Sequence, residues 1–231
     1  MVIVVTGSRK GIGRFLCEQY LKEGHTVIGC SRGESDLEHE AYHHFEVDMT
    51  QETQVHQFAK QVRRQFKVVD VLINNAGAAS MNHFMMTPLD TARRLMDLNY
   101  LAALSGAKEF MSCLRKSEHG RIVNFSTVAV PLNLEGELAY TSSKAAVEEM
   151  TKIMAKESSV YGVTVNAVGP TPIHTDLTAK VPEEKMDKLL SSQAIHRFGD
   201  FEDVKNVIDF YISPKSDFVT GQVIYLGGVN R

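Results

Sequence analysis

Short runs of β-branched and apolar residues alternate with longer stretches of helical period along the whole chain. The clearest runs are Val2–Val5, Thr26–Cys30, Val69–Ile73, Arg121–Phe125, Val163–Ala167 and Gln222–Leu226. Strands that are apolar on both sides are expected where helices cover both faces of a parallel sheet. No internal repeat or linker-like tract interrupts the pattern. It therefore predicts a single three-layer α/β/α domain over residues 1–231, built on a doubly wound parallel sheet.

Two local signals concern element boundaries. Only Gly33–Phe45 separate the second run from the next strand candidate, Glu46–Val47, which leaves little room for a crossover helix. Further along, Thr87 precedes Pro88, and this pair is typical of a helix whose capping residue is the threonine.

Composition excludes several classes of protein. The chain carries 25 Lys+Arg against 28 Asp+Glu, a net charge of −3, whereas nucleic-acid binders usually have a clear basic excess. No apolar run approaches the roughly 18 residues that span a bilayer, so we expect no membrane partner.

The three cysteines, Cys17, Cys30 and Cys113, are odd in number and widely spaced, which favours a reducing cytoplasm over a disulfide framework. The three histidines between residues 39 and 44 lack the acidic or cysteine residues that would complete a set of ligands, so we expect no metal site.

A glycine-rich turn follows the first strand. Glycines allow positive φ and let backbone amides approach a pyrophosphate at a helix N-terminus. The spacing is G-x-x-x-G-x-G, which differs from the G-x-G-x-x-G of the standard dinucleotide fingerprint. The residues that we expect to bind a cofactor here are Gly7, Ser8, Arg9, Lys10, Gly11, Ile12 and Gly13.

The end of the second strand bears on the choice of cofactor. A carboxylate at this point would bind the ribose hydroxyls of NAD and repel a 2′-phosphate, whereas an arginine accommodates NADP. Ser31 takes the acidic position and Arg32 follows it, while Lys10 adds a second cation. The sequence therefore favours NADP(H) over NAD(H).

Tyr140 and Lys144 lie at the start of a helical stretch, and their spacing of four places both side chains on one helix face. An unperturbed tyrosine has a pKa near 10, and a neighbouring ammonium lowers a pKa by roughly 1–3 units. We therefore expect Lys144 to lower the pKa of Tyr140.

Together these motifs resemble those of the short-chain dehydrogenase/reductase family over essentially the whole chain. The matching segments are Thr6–Gly13, Asp48, Asn74–Gly77, Asn99, Tyr140 with Lys144, Asn166–Pro170 with Ile173 and Thr175, and Phe218–Gly228. The resemblance implies a Rossmann fold and a nicotinamide cofactor. It adds to the cofactor-binding residues Asp48, Met49, Asn75, Ala76, Gly77, Tyr140, Lys144, Pro170, Ile173 and Thr175.

The resemblance also implies an oxidoreductase in which Tyr140 is general acid or base, Lys144 binds the nicotinamide ribose and Asn99 supports a bound water. The family's catalytic serine lies thirteen residues before the tyrosine, and that position is Thr127 here, with Ser126 before it. Adjacent strand residues point to opposite faces, so Thr127 is expected to do the work of the serine. The alternative is a protein that senses NADP(H) without catalysis.

The substrate is expected to be a small carbonyl or alcohol. Similar compact members reduce 3-oxoacyl groups on an acidic acyl carrier protein, which docks through basic residues. Glu118 and Tyr161 stand at the matching positions, which disfavours this alternative. The resemblance further implies a substrate lid at about residues 173–195 and a homodimer or homotetramer formed by the helices around 88–116 and 139–161.

Overall fold

Seven parallel strands form one continuous sheet in the computed structural model, which describes residues 1–175, 178 and 181–229. They are β1 (Val2–Thr6), β2 (Thr26–Ser31), β3 (Tyr42–Glu46), β4 (Val71–Asn74), β5 (Arg121–Phe125), β6 (Thr164–Gly169) and β7 (Val223–Tyr225). Their order across the sheet is β3-β2-β1-β4-β5-β6-β7. Val4 of β1 pairs with Ile28 of β2 on one side and with Leu72 of β4 on the other. The prediction of a doubly wound parallel sheet is confirmed.

The helices lie between the strands in the chain. They are α1 (Gly11–Lys22), α2 (Glu52–Phe66), α3 (Leu89–Met96), α4 (Ala102–Leu114), α5 (Ala129–Leu132), α6 (Leu138–Ser158), α7 (Glu183–Ser191) and α8 (Phe201–Ile212). A π-helical turn, Asp97–Leu101, joins α3 to α4. Short 3₁₀ turns cover Phe84–Met86, Ser159–Tyr161 and Pro214–Ser216.

Two apolar cores lie on opposite faces of the sheet because successive strand residues point to opposite sides. Val4 and Ile28 contribute to the core that α2, α4 and α6 cover. Ile3 and Val5 contribute to the core under α1 and α8. Strands buried on both faces account for the continuous apolar runs in the sequence.

Most predicted strands differ from the observed ones by at most two residues at either end, but the start of the third strand and the cap of α3 were wrong. The third strand begins at Tyr42, before the predicted Glu46–Val47, because Tyr42 pairs with Val27 across the sheet although the segment lacks a β-branched run. Thr87 does not cap α3: its hydroxyl donates back to the carbonyls of Asn82 and His83, and Pro88 takes the capping position. The short connection after β2 contains no helix, as predicted.

The order of the strands determines where a ligand can bind. The chain runs outward from β1 to β3, returns to β4 beside β1, and then continues to β7. In sheets of this kind, ligands bind beyond the carboxyl ends of the strands, at the point where the order reverses. The loops after β1 and β4 therefore form the centre of a candidate site.

Candidate active site

A cavity of about 1110 Å³ lies along the carboxyl ends of the strands. At one end it is lined by the loop after β1 and by residues that follow β2 and β3. At the other end it is lined by residues that follow β5 and β6, by the start of α6 and by α7. One elongated cavity thus connects the glycine-rich turn to Tyr140.

The glycine-rich turn has a conformation that needs its glycines. Gly7 and Gly11 have φ of 71° and 57°, in the left-handed region. A Cβ on Gly13 would lie 2.3 Å from the carbonyl oxygen of Gly7, so only glycine fits there. Helix α1 begins at Gly11, and the positive end of its dipole is at the turn. This arrangement fits a pyrophosphate.

The loop after β4 holds this turn in place. The Asn75 amide nitrogen donates to the carbonyl oxygens of Thr6 and Gly7, at 2.8 and 3.1 Å. The backbone N–H of Ala76 donates to the Thr6 hydroxyl at 3.0 Å. β1 and β4 are distant in sequence but adjacent in the sheet. Hydrogen bonds between the ends of these two strands thus fix the shape of the turn.

The end of the cavity beyond β2 and β3 is lined by Ser31, Arg32, Asp48 and Met49. Arg9 and Lys10 line the cavity nearby, and the Arg9 guanidinium lies about 3.0 Å from where a Cβ on Gly33 would be. Three cationic residues and no carboxylate other than Asp48 therefore surround this end, among the described residues that line the cavity.

A hydrogen-bonded histidine that the sequence pattern did not predict, His44, lies behind Ser31. The Nε2 atom of His44 lies 2.9 Å from the Gly33 carbonyl oxygen and 3.2 Å from the Ser31 hydroxyl. Its Nδ1 atom lies 3.1 Å from the Tyr42 hydroxyl, which donates to Ser8. Ser8 is thus buried behind the turn and does not line the cavity, unlike most of the cofactor-binding residues that were predicted. No local sequence pattern signals this network, because its members come from the glycine-rich turn, the end of β2 and β3.

Tyr140 and Lys144 lie on one face of α6 and both line the cavity. The Lys144 ammonium donates to the Phe125 carbonyl oxygen at 2.8 Å. The Tyr140 phenol is hydrogen-bonded to the Thr127 hydroxyl. The structure therefore brings Thr127, Tyr140 and Lys144 together at the end of β5.

Burial dominates the titration of this pair. It raises the pKa of Tyr140 to about 12, with the charge of Glu137 acting in the same direction and the hydrogen bond from Thr127 opposing it. Burial lowers the pKa of Lys144 to about 8. Lys144 was expected to lower the pKa of Tyr140, but burial has the largest effect on that pKa and raises it. Tyr140 is thus a protonated phenol at neutral pH.

Ser126 points away from Tyr140. Its hydroxyl donates to Oε1 of Glu148, which also accepts a hydrogen bond from the Tyr225 hydroxyl at 2.7 Å. Both Ser126 and Glu148 are buried. Just beyond the end of β5, the Thr127 hydroxyl, and not that of Ser126, thus lies next to the tyrosine.

Asn99 lies in the π-helical turn and does not line the cavity. Its side chain accepts from the backbone N–H of Ala78 and donates to the Ala78 carbonyl, both at 2.9 Å, and donates to the Ser143 hydroxyl at 2.8 Å. A Cβ on Gly77 would lie 3.0 Å from Asn99 Oδ1 and 3.5 Å from Lys144 Nζ. Asn99 therefore ties the loop after β4 to α6 beside Lys144.

The segment after β6 covers the other side of the cavity. Pro170, Ile173 and Thr175 line it, as do residues of α7. Of the lid expected at 173–195, residues 176, 177, 179 and 180 lie outside the described residues. Helix α7, within the same span, presents Lys185 and Met186 to the cavity.

Comparison with known proteins identifies the family. The family model for short chain dehydrogenases matches residues 1–186. The chain belongs to the short chain dehydrogenase family. It is 32% identical to the 3-oxoacyl-[acyl-carrier-protein] reductase of Aquifex aeolicus, over 98% of this chain and 96% of that protein. It is 29% identical to the corresponding reductase of Vibrio cholerae, with the same coverage.

Solved structures show the same fold. The ligand-free aldohexose dehydrogenase of Thermoplasma acidophilum superposes with a TM-score of 0.89 at 29% identity, over 99% of this chain and 93% of that one. A gluconate 5-dehydrogenase from Burkholderia cenocepacia, in complex with NADP and tartrate, has a TM-score of 0.90 at 24% identity, over 98% and 93% of the two chains.

The chain is an oxidoreductase of this family, whose members bind nicotinamide cofactors. In the part of the chain that the structure describes, no helix is long and apolar enough to cross a membrane, and no group of side chains is suited to hold a metal ion.

Proposed function

We propose that this chain reduces a small carbonyl compound to the alcohol, with NADPH as cofactor and Tyr140 as general acid. The observation that carries the proposal is the half-buried, protonated Tyr140 phenol, which is hydrogen-bonded to Thr127 and lines the same cavity as the glycine-rich turn. A phenol with a pKa of about 12 holds its proton at neutral pH, which is the state that carbonyl reduction requires of an acid.

The chain's own residues bind, orient and supply a proton. The Thr127 hydroxyl and the Tyr140 phenol together offer two hydrogen bonds to one carbonyl oxygen, and Tyr140 donates the proton as negative charge develops there. The Lys144 ammonium, which donates to the Phe125 carbonyl oxygen, lines the same cavity and would bind the nicotinamide ribose. Asn99 fixes the loop that carries Gly77 against Lys144. NADPH, when bound, supplies the hydride.

The preference for NADPH over NADH is part of the proposal. The 2′-phosphate of NADPH carries negative charge, and Arg32, Arg9 and Lys10 line the end of the cavity where the adenine ribose would lie. Ser31 replaces the carboxylate that would repel this phosphate. The structures similar in fold include complexes with both NADP and NADH, so the preference rests on these side chains.

A 3-oxoacyl-(acyl-carrier-protein) reductase is the second candidate, because the curated relatives at 29–32% identity bear that name. Glu118 and the half-exposed Tyr161 at the expected docking positions count against it. Comparing kcat/KM for a 3-oxoacyl group on a carrier protein and on a small free thiol discriminates the two. A tenfold preference for the carrier-borne form would favour the second candidate.

Replacing Tyr140 with phenylalanine tests the proposed chemistry. We expect Tyr140→Phe to lower kcat for carbonyl reduction by about 10²-fold or more, since general acid catalysis contributes about that much. The Kd for NADPH, measured by fluorescence, should stay within about twofold because the change removes only the hydroxyl and leaves the ring in the cavity wall. Tyr161→Phe, at an exposed tyrosine, is the control.

Two results would contradict the proposal. Activity of Tyr140→Phe close to that of the wild type would exclude Tyr140 as the acid. A wild-type protein that reduces none of a panel of aldehydes, ketones and 3-oxoacyl thioesters with NADPH would exclude the proposed reaction. The expected lid at 173–195, the homodimer or homotetramer and the cytoplasmic location stay predictions.

A further inference from the structure

Glu137 is a carboxylate at the substrate end of the cavity that the proposed chemistry does not use. It precedes the first residue of α6 and lies three residues before Tyr140, a spacing that places both on one side of the helix. Its side chain lines the cavity. Its charge contributes to the raised pKa of Tyr140, so the carboxylate lies within electrostatic reach of the phenol.

This carboxylate has no hydrogen-bond donor within the described part of the chain, although it is half-buried. Its exposure is intermediate, and burial in the cavity wall raises its pKa. A polar group that loses water without gaining a partner costs free energy. A substrate group that donates a hydrogen bond would recover that cost.

Lys185 approaches the same place from α7. Its Nζ atom lies 3.6 Å from where a Cβ on Gly136 would be, and its charge acts on Glu137 in the direction that lowers the pKa. A carboxylate and an ammonium that line the same part of a cavity nearly cancel in net charge. The pair therefore favours a neutral polar group, which donates to one member and accepts from the other, over an ion of either sign.

We propose that Glu137 and Lys185 select a carbonyl substrate that bears a hydroxyl group close to the reacting carbon. The hydroxyl donates to Glu137 and accepts from Lys185 while the carbonyl oxygen lies at Tyr140 and Thr127. A substrate with a carboxylate in that place meets the charge of Glu137 and is disfavoured. This inference rests on the proposed reductase activity and specifies its substrate class.

Three matched four-carbon ketones test the inference: 1-hydroxy-2-butanone, 2-butanone and 2-oxobutanoate. They differ only in the group attached to the carbonyl carbon on the side that would face Glu137. This group is a hydroxymethyl in 1-hydroxy-2-butanone, a methyl in 2-butanone and a carboxylate in 2-oxobutanoate. The measured quantity is kcat/KM with NADPH, expressed as the ratio of each substituted ketone to 2-butanone. Using ratios cancels changes in the amount of folded enzyme and in cofactor binding.

We expect the wild-type enzyme to prefer 1-hydroxy-2-butanone to 2-butanone by about tenfold or more, since a hydrogen bond to a charged group strengthens binding by at least about that factor. Glu137→Met removes the acceptor and should abolish most of this preference. Glu137→Gln keeps an acceptor oxygen and should restore part of it. Lys185→Met should lower the same ratio. The exposed residues Glu184 and Lys156 provide the matched controls Glu184→Met and Lys156→Met, which should leave the ratio unchanged.

Three outcomes would overturn the inference and leave the reductase proposal intact. One is a wild-type enzyme that reduces carbonyl compounds without preferring the hydroxyketone. Another is a preference that Glu137→Met does not change. The third is a preference for 2-oxobutanoate that Lys185→Met abolishes, which would assign the site to anionic substrates. Failure of the reductase proposal is separate, because the wild-type enzyme would then reduce no member of the wider panel.

Discussion

At the scale of single residues, the titration of Lys144 predicts how activity depends on pH. Burial lowers the pKa of Lys144 to about 8 and raises that of Tyr140 to about 12. As pH rises, Lys144 therefore loses its charge first, while Tyr140 still holds the proton that reduction requires. We expect kcat/KM for reduction to be level below pH 8 and to fall as the pH passes the pKa of Lys144.

The measurement is a pH profile of NADPH-dependent reduction at constant ionic strength, with the Kd for NADPH followed over the same range. A profile that stays level well above the pKa of Lys144 would show that its charge is not needed. A decline that the Kd alone accounts for would assign the effect to cofactor binding.

Spacing predicted some site residues and could not predict others. Alternation along a strand was used to select Thr127 over Ser126, and in the structure the Thr127 hydroxyl contacts Tyr140 while the Ser126 hydroxyl contacts Glu148, although both residues lie beyond the end of β5. Glu137 and Glu148 carry no such signal, because a single glutamate near a helix is usually a solvent-exposed residue. Their environments depend on α7 and on β7, which reach α6 only in the folded chain.

At the scale of elements, Glu148 joins three of them. From α6 it accepts hydrogen bonds from Ser126, just beyond β5, and from Tyr225 of β7. We expect Glu148→Leu to lower the free energy of unfolding by about 1–3 kcal/mol, since the buried Ser126 hydroxyl loses its acceptor. Adding Ser126→Ala removes that unpaired hydroxyl. The two changes should therefore be less than additive, by about 0.5–3 kcal/mol.

Urea unfolding of the two single variants and the double variant measures this coupling. Glu149→Leu is the matched control, because Glu149 is the next residue on α6 and its side chain is 66% exposed. The effects of Glu149→Leu and Ser126→Ala on the free energy of unfolding should be additive. If the effects of Glu148→Leu and Ser126→Ala were also additive, the assigned contact between Glu148 and Ser126 would be contradicted.

Element boundaries were predictable where local signals agree with tertiary pairing. Arg121–Phe125 was predicted to the residue, since Ile122, Val123 and Phe125 give a clear strand signal and all five residues are buried in the sheet. The start of β3 was not, because Tyr42 and His43 enter the sheet through pairing with β2 and not through their own propensity. Thr87 failed as a cap for a local reason: its hydroxyl donates back to the carbonyls of Asn82 and His83, which lie just before the preceding 3₁₀ turn.

At the scale of the whole molecule, the cofactor would contact both halves of the sheet. The cavity runs from the ends of β2 and β3 to those of β5 and β6, across the point where the strand order reverses. Two cores on either face of one continuous sheet share its strands, so neither half of the sheet can be removed without exposing both cores. We therefore propose that residues 1–231 unfold as a single domain.

Thermal unfolding with each cofactor tests the domain and the NADPH preference together. A ligand at 100 times its Kd stabilises the native state by about 2.7 kcal/mol, which raises the Tm of a chain of this size by about 5–11 °C. We expect calorimetry to show one transition, which NADPH moves upward as a whole. Arg32→Ala should weaken NADPH binding about tenfold, which at the same concentration halves the stabilisation to about 1.4 kcal/mol. The shift that NADH produces, at 100 times its own Kd, should not change.

Arg115→Ala, at an exposed arginine outside the cavity, controls for the loss of one positive charge. If Arg32→Ala reduced the NADH and NADPH shifts equally, Arg32 would act on a part that both cofactors share, and not on the 2′-phosphate. If a second transition appeared that NADPH did not move, the chain would contain a unit that unfolds independently of the cofactor site. A bound cofactor would contact both halves of the sheet. If the chain unfolds as a single domain, cofactor binding therefore stabilises both halves together.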